Sequence, residues 1–104
     1  MQASPRLNQP ADMAGSWDLE GPQGGCSLTL ATEEAALAPG SLAAPMHALT
    51  IDGNCLSGTG ASGWRPIPLG LEFDDTEGYS VLVFEQVGDT IYRTPDGTWT
   101  LTRR

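Results

Sequence analysis

The fold is decided by Ala14-Gly15-Ser16-Trp17-Asp18-Leu19-Glu20, a run in which Trp17 and Leu19 alternate with polar residues. Cys26-Ser27-Leu28-Thr29-Leu30 follows with the same alternation. A period of two is typical of strands that turn one face to a core. Between the runs, Gly21-Pro22-Gln23-Gly24-Gly25 favours a chain reversal. The two runs are therefore predicted to form a β-hairpin.

Further strand patterns continue to the end of the chain, separated by turn signals such as Asp52-Gly53 and Asp96-Gly97. About eight short strands are typical of an antiparallel barrel or sandwich, and closure of the sheet removes its exposed edges. The predicted strands after the hairpin are Met46–Ile51, a bent or edge strand from Trp64 to Phe73, Tyr79–Gln86, Thr90–Arg93 and Thr98–Thr102.

A barrel of this size is filled by side chains, so Trp17, Trp64 and Trp99 are the predicted core anchors. The predicted fold is all-β: a small eight-stranded antiparallel β-barrel with an extended amino-terminal arm and one disulfide. Residues 11–104 are expected to form the single barrel domain, and residues 1–10 the arm. A chain of 104 residues leaves little room for a second domain.

The amino-terminal arm differs in composition from the rest of the chain. Pro5 and Pro10 block helix formation, and Leu7 is the one clear apolar residue in this decapeptide. The arm is therefore predicted to be extended and weakly tied to the core, the alternative being a disordered terminus. Residues 10–15 are expected to form one helical turn that ends at Gly15.

The segment after the first hairpin is rich in alanine and lacks strand residues. Thr32-Glu33-Glu34-Ala35-Ala36-Leu37-Ala38 has helix propensity, but Pro39-Gly40 ends any helix within two turns. This segment is predicted to be a loop with a short helix at most.

Cys26 and Cys55 are the two cysteines of the chain, and an even count favours a disulfide. Two cysteines and the single His47 are too few ligands for a structural zinc site, and there is no Cys-x-x-Cys redox spacing. A disulfide indicates an oxidising compartment, so a periplasmic or secreted location is expected, with any signal peptide already removed.

The chain is acidic, with a formal net charge of -8, which disfavours nucleic acid as a partner. Its acidic residues are scattered, as on a solvated β surface. No apolar run is long enough to span a membrane. No nucleophile with a base, paired carboxylates in an apolar setting or metal cluster is apparent, so the chain is expected to be neither an enzyme nor dependent on a cofactor or metal of its own. The acidic residues of this surface are Asp18, Glu20, Glu33, Glu34, Glu72, Asp74, Asp75, Glu77, Glu85 and Asp89.

Several motifs occur in register along the chain: Ala14-Gly15-Ser16-Trp17-Asp18-Leu19, the two cysteines, Gly63-Trp64-Arg65-Pro66-Ile67-Pro68-Leu69-Gly70-Leu71, and Asp96-Gly97-Thr98-Trp99-Thr100-Leu101. Together they resemble the Inh family of bacterial periplasmic inhibitors of serralysin-type zinc metalloproteases. The resemblance covers nearly the whole chain after Pro5. It implies an eight-stranded barrel with one disulfide, in agreement with the strand pattern.

The resemblance also implies a mechanism and a partner. In such inhibitors the extended arm enters the protease cleft and the free α-amino group meets the catalytic zinc, in a 1:1 complex formed by a monomeric inhibitor. Family arms begin at a residue exposed by signal removal, so the first residue here is Met1 in a longer arm, or Ala3. The implied protease-binding residues are Met1, Gln2, Ala3, Ser4, Pro5, Arg6 and Leu7.

The sequence is also compatible with two other functions. The barrel could bind a small hydrophobic ligand, as lipocalin-like and avidin-like barrels do, although its large side chains would fill such a cavity. It could also be a structural or inhibitory domain of an outer-membrane lipoprotein, although no lipidation cysteine precedes Pro5.

Overall fold

The computed structural model describes residues 9–104 of the chain. Each strand in this range is antiparallel to the next, and the last pairs with the first, so the sheet closes into a barrel. The predicted all-β fold is confirmed. The described residues form one short helix and eight strands: α1 (Pro10–Met13), β1 (Gly15–Gly21), β2 (Gly24–Ala35), β3 (Met46–Asp52), β4 (Gly63–Ile67), β5 (Gly70–Asp74), β6 (Ser80–Gln86), β7 (Ile91–Arg93) and β8 (Thr100–Arg103).

The hairpin of β1 and β2 has the alternation that its sequence predicts. Trp17 pairs with Leu28, and Leu19 pairs with Cys26. Trp17 and Leu19 are fully buried, whereas Asp18 between them is exposed. One face of this hairpin therefore contributes to the barrel core and the other faces solvent.

The strand β2 extends further than the sequence predicts. Glu34 pairs with His47 and Ala35 pairs with Met46, after a register shift that follows Leu30. The prediction of a loop with a short helix was therefore wrong for residues 32–35. Helix propensity is a weak preference, and here the pairing with β3 overrides it.

The run from Trp64 to Phe73 forms two strands instead of the single bent or edge strand that was predicted. Trp64 pairs with Phe73 across a hairpin, and Pro68 and Leu69 make its turn. Pro66 lies beyond the last pair of the ladder between β3 and β4, so this proline interrupts no bond of that ladder. Because this turn divides the run into β4 and β5, the barrel has the eight strands with which it closes.

Large apolar side chains fill the interior of the barrel. Phe73 and Phe84 pack with their ring centroids 5.0 Å apart. Within residues 9–104, no helix has the length and apolar character needed to cross a membrane. The buried core comprises Met13, Trp17, Leu19, Leu28, Leu30, Cys55, Leu56, Trp64, Leu71, Phe73, Phe84, Tyr92, Trp99 and Leu101.

The predicted disulfide between Cys26 and Cys55 is confirmed, with the two Cα atoms 5.7 Å apart. It joins the start of β2 to the connection that follows β3. The two cysteines are 29 residues apart in sequence. Closing a loop of that length stabilises a fold by about 3 to 4 kcal/mol in the chain-entropy treatment.

Residues 36–45, which connect β2 to β3, form a strap across the outer face of β4 and β5. The amide of Ala38 donates to the carbonyl of Thr76 at 2.6 Å, and the hydroxyl of Ser41 donates to the carbonyl of Glu77. Leu42, in the middle of the strap, is fully exposed. The connection therefore folds back onto the barrel and reaches the turn between β5 and β6.

Candidate functional site

One end of the barrel is covered by the segment at which the described chain begins. We call residues 9–14, which contain α1, the root of the arm. The helix starts with Pro10 at its first position, and Gln9 and Asp12 exchange hydrogen bonds across its first turn. It contacts both β2 and β4, two strands separated by β3 in the barrel. The root therefore lies across the barrel opening.

Met13 attaches the root to the core. Its side chain is only 2% exposed, and its carbonyl accepts a hydrogen bond of 2.9 Å from the indole Nε1 of Trp17. The hydroxyl of Tyr92 lies 3.8 Å from the sulfur of Met13. Tyr92 also packs edge-on against Trp17, with ring centroids 5.4 Å apart. Burial raises the pKa of the Tyr92 phenol, which is therefore neutral in this setting.

Arg103 at the end of β8 holds the root from the other side. Its guanidinium donates to the carbonyls of Asp12 and Ala14, the latter at 2.8 Å, and lies 5.3 Å from the ring centroid of Trp17. We call this group of contacts the Arg103 clamp. Gly15, with a φ of 128°, makes the bend between root and β1, a conformation that other residues rarely adopt.

The predicted protease-binding residues Met1, Gln2, Ala3, Ser4, Pro5, Arg6 and Leu7 lie outside the described residues. The described chain begins at Gln9, which is exposed beside α1. The arm is thus joined covalently to the barrel at the end that the root covers. The predicted core anchors are all inside the barrel: Trp17 and Trp64 are fully buried and Trp99 is 9% exposed.

A second cluster of charged groups lies beneath the strap, and sequence reasoning missed it. Asp74, expected on the solvated surface, is fully buried, and Glu72 beside it is mostly buried. Arg65 lies between them, 3.1 Å from Glu72 and 3.6 Å from Asp74. The expectation that no paired carboxylates share an apolar setting was therefore wrong. The strap covers outward positions of β5 that would face water on a bare barrel.

Burial, followed by the neighbouring Glu72, raises the pKa of Asp74 to about 8, and the Arg65 guanidinium opposes this rise only in part. Among residues 9–104, no group donates a hydrogen bond to either carboxyl oxygen of Asp74. A buried carboxyl without donors favours its neutral form. In contrast, hydrogen bonds from the backbone of Thr98 and the hydroxyl of Thr94 lower the pKa of Asp96 in an exposed turn.

The described residues contain no group of three or more side chains that could hold a metal ion. The described residues form a filled barrel, closed by a disulfide, and an anchored root. This arrangement is suited to presenting a segment to another macromolecule.

A family model for protease inhibitors matches residues 7–104, nearly the whole chain. The chain therefore belongs to the protease inhibitor Inh family. Protease inhibitors are not themselves enzymes, and the family implies a protease as the partner. Among solved structures, the crystal structure of a psychrophilic marine protease MP inhibitor is similar, with 22% sequence identity and a TM-score of 0.65. The match covers 93% of this chain and 100% of that one, and at this identity it shows the fold. No curated protein sequence matches the chain significantly.

Proposed function

We propose that the protein inhibits a serralysin-type zinc metalloprotease by placing its arm in the active-site cleft. The residues Met1 to Leu7 occupy the cleft as an extended peptide. The free α-amino group of Met1, or of Ala3 if the chain is processed, meets the catalytic zinc. The observation that carries the proposal is the root: the chain leading to the arm is fixed to the core by Met13 and to β8 by Arg103.

Anchoring the root matters because binding a flexible segment costs conformational entropy. A segment whose base is already ordered has fewer residues to immobilise when it binds. The contacts of Met13 and Arg103 are internal to the inhibitor, so this ordering is complete before the protease arrives. The barrel thereby raises the affinity of the arm without touching the zinc.

The chemistry of the contact follows from the open position of a catalytic zinc. That position normally holds the water that attacks the peptide bond, and a neutral amine can take its place. An extended chain entering the cleft gains the backbone contacts of a substrate. Because the chain begins at the amine, no peptide bond lies over the metal.

The disulfide supports an oxidising location, and we propose that the protein acts in the periplasm or outside the cell. We further propose that the free inhibitor is a monomer that binds one protease. The filled core disfavours the small-ligand alternative, because large side chains occupy the interior in which a ligand would have to bind.

The test is inhibition of zinc proteases from several families by three forms of the protein. Deleting residues 1–6 is expected to abolish inhibition, because it removes most of the arm and moves the free α-amino group to Leu7, two residues before the root. Acetylating the α-amino group keeps the arm but removes the metal-binding lone pair, and is expected to weaken inhibition strongly. The intact protein is the reference, and circular dichroism checks that the barrel persists in each form.

Three results would each refute a different part of the proposal. Full potency of the truncated form would refute the arm mechanism. Unchanged potency after acetylation would refute the zinc contact alone. Inhibition of other protease classes, with serralysin-type enzymes unaffected, would refute the target.

A further inference from the structure

Arg65 connects the barrel to the strap through backbone carbonyls. Its guanidinium donates to the carbonyls of Ala44 and Pro45 in the strap, and to the carbonyl of Gly78 in the adjoining turn at 3.0 Å. The same guanidinium forms the ion pair with Glu72. One side chain therefore holds three separate segments together.

The strap and the turn fit so closely that only glycine is tolerated between them. A Cβ atom on Gly78 would lie 2.5 Å from the Cβ of Ala43 and 2.9 Å from a methyl carbon of Leu37. This packing excludes water from Asp74 beneath it, which is fully buried. The strap can therefore stay docked only while the group below it tolerates a dry environment.

We propose that Arg65, Glu72 and Asp74 form a proton-dependent latch that holds the strap, residues 36–45, against the barrel while Asp74 is protonated and loosens it when Asp74 ionises. An ionised Asp74 places a second negative charge beside Glu72 and competes for Arg65. Opening of the strap relieves both effects, because it admits water to the carboxylate.

The other groups around the latch do not offset this charge. The strap contains no titratable residue. The turn between β5 and β6 contributes Asp75 and Glu77, both acidic, and β6 contributes the uncharged Ser80. Arg65 is the one cation within ion-pair distance of Asp74 in residues 9–104. The charge balance of the cluster is therefore set by the proton on Asp74.

The direction of the effect follows from linkage. The docked state holds the proton up to a pH of about 8, whereas a hydrated aspartate releases it near pH 4. Between these values the open state gains on the docked state as pH rises, by up to about tenfold for each pH unit. The strap is docked most tightly under mildly acidic conditions.

Hydrogen exchange of the full protein, expressed as protection factors at pH 5, 6, 7 and 8, tests the latch. The reporter is the amide of Ala38, which bonds the turn only when the strap is docked. Its protection is expected to fall by at least tenfold from pH 5 to pH 8 in the wild type, and to stay constant in Asp74→Asn. Amides of the β1–β2 ladder should be more protected than the amide of Ala38 at every pH, because they exchange only when the barrel itself opens. Asp89→Asn, the same substitution at an exposed position, should behave as the wild type.

Several results would overturn the latch. They are constant protection of Ala38 in the wild type, the same loss in Asp74→Asn, or protection of Ala38 equal to that of the β1–β2 ladder at every pH. If Asp74→Asn fails to fold, the proposal is tested on the wild type by following the carboxyl ¹³C chemical shift of Asp74 as a function of pH. A titration midpoint near pH 4, the ordinary value for an aspartate, would refute the proposal. None of these readouts involves a protease, so they are independent of the proposed inhibition.

Discussion

Two arginines fix segments that lie outside the strands, and their surroundings differ. Arg103 binds two carbonyls of the root and lies over the face of Trp17. Arg65 binds carbonyls of the strap but also faces Glu72 and the buried Asp74. Within residues 9–104, two carboxylates lie within ion-pair distance of Arg65, whereas no carboxylate lies within that distance of Arg103. The root is thus held by a guanidinium that meets only carbonyls and an aromatic face, whereas the guanidinium that holds the strap also faces two carboxylates.

This difference agrees with the roles proposed for the root and the strap. A root that orders the arm for binding should hold at every pH at which the target works. A strap that has no part in the proposed zinc contact can respond to pH without loss of inhibition. The Arg103 clamp and the latch at Arg65, together the two clamps, are therefore expected to act independently on one barrel, and the following changes test that independence.

Removal of the disulfide should have the largest effect of a change measured at a single pH, and it should act on both clamps equally. Replacing Cys26 and Cys55 by serine is expected to lower the free energy of unfolding by about 3 to 4 kcal/mol, because the unfolded chain regains its loop entropy. Thermal and urea unfolding measure the loss. Inhibition at a temperature where the variant is folded should change little. An unchanged melting temperature would contradict the assigned role of the bridge.

Arg103→Gln should weaken inhibition by roughly 10- to 100-fold, because the root loses its order before binding. The control is Arg104→Gln, which alters an arginine at the same end of the barrel whose side chain bonds only Asp18 and Ser27 within the described residues. Inhibition constants against one protease compare the two. Equal losses would show that charge at this end matters and that anchoring of the root does not.

Asp74→Asn should remove a pH dependence from the stability of the protein. The raised pKa of Asp74 means that the folded state binds the proton more tightly than the unfolded state. Its stabilising effect is fully present below pH 4 and is lost as pH rises towards 8, at up to about 1.4 kcal/mol for each pH unit. Urea unfolding at several pH values should show this slope in the wild type and a flatter profile in the variant. A parallel profile in both proteins would exclude Asp74 as its source.

Leu42→Ser should have the smallest effect, below about 0.5 kcal/mol in unfolding, because the Leu42 side chain is fully exposed. Inhibition should also stay the same if the strap is independent of the arm. The comparison is Ala43→Ser at a half-buried position that packs against Gly78, and this change should lower the free energy of unfolding by more than Leu42→Ser does. A marked loss of inhibition in Leu42→Ser would place the strap in the protease interface and end the separation of the two regions.

The strands with clean alternation were predictable from sequence. Trp17 and Leu19 point inward as their alternation with polar residues predicts, and the turn residues that follow them fix the hairpin. The pairing of Cys26 with Cys55 followed from their number. The turn at Pro68 and Leu69 was missed because prolines in a strand pattern are compatible with either a bend or a reversal.

The two clamps could not be predicted in the same way. Arg103 and Arg65 bind backbone carbonyls, and every residue has a carbonyl, so no residue type marks the partner. Asp74 occupies an outward position of β5, where an acidic residue normally meets water. Its burial depends on a strap with no regular pattern of its own, whose path is set by contacts such as that of Ala38 with Thr76.

Closure of the sheet by pairing of β8 with β1 has a consequence for the survival of the inhibitor beside an active protease. Peptide-recognising proteins commonly bind an extended chain by adding it as a strand to their own sheet edge. In the barrel every strand has a neighbour on each side, although the β3–β4 and β6–β7 ladders comprise only two residue pairs each. Within residues 9–104 no strand is left at a free sheet edge, so the barrel should outlast the enzyme's ordinary substrates in a digest.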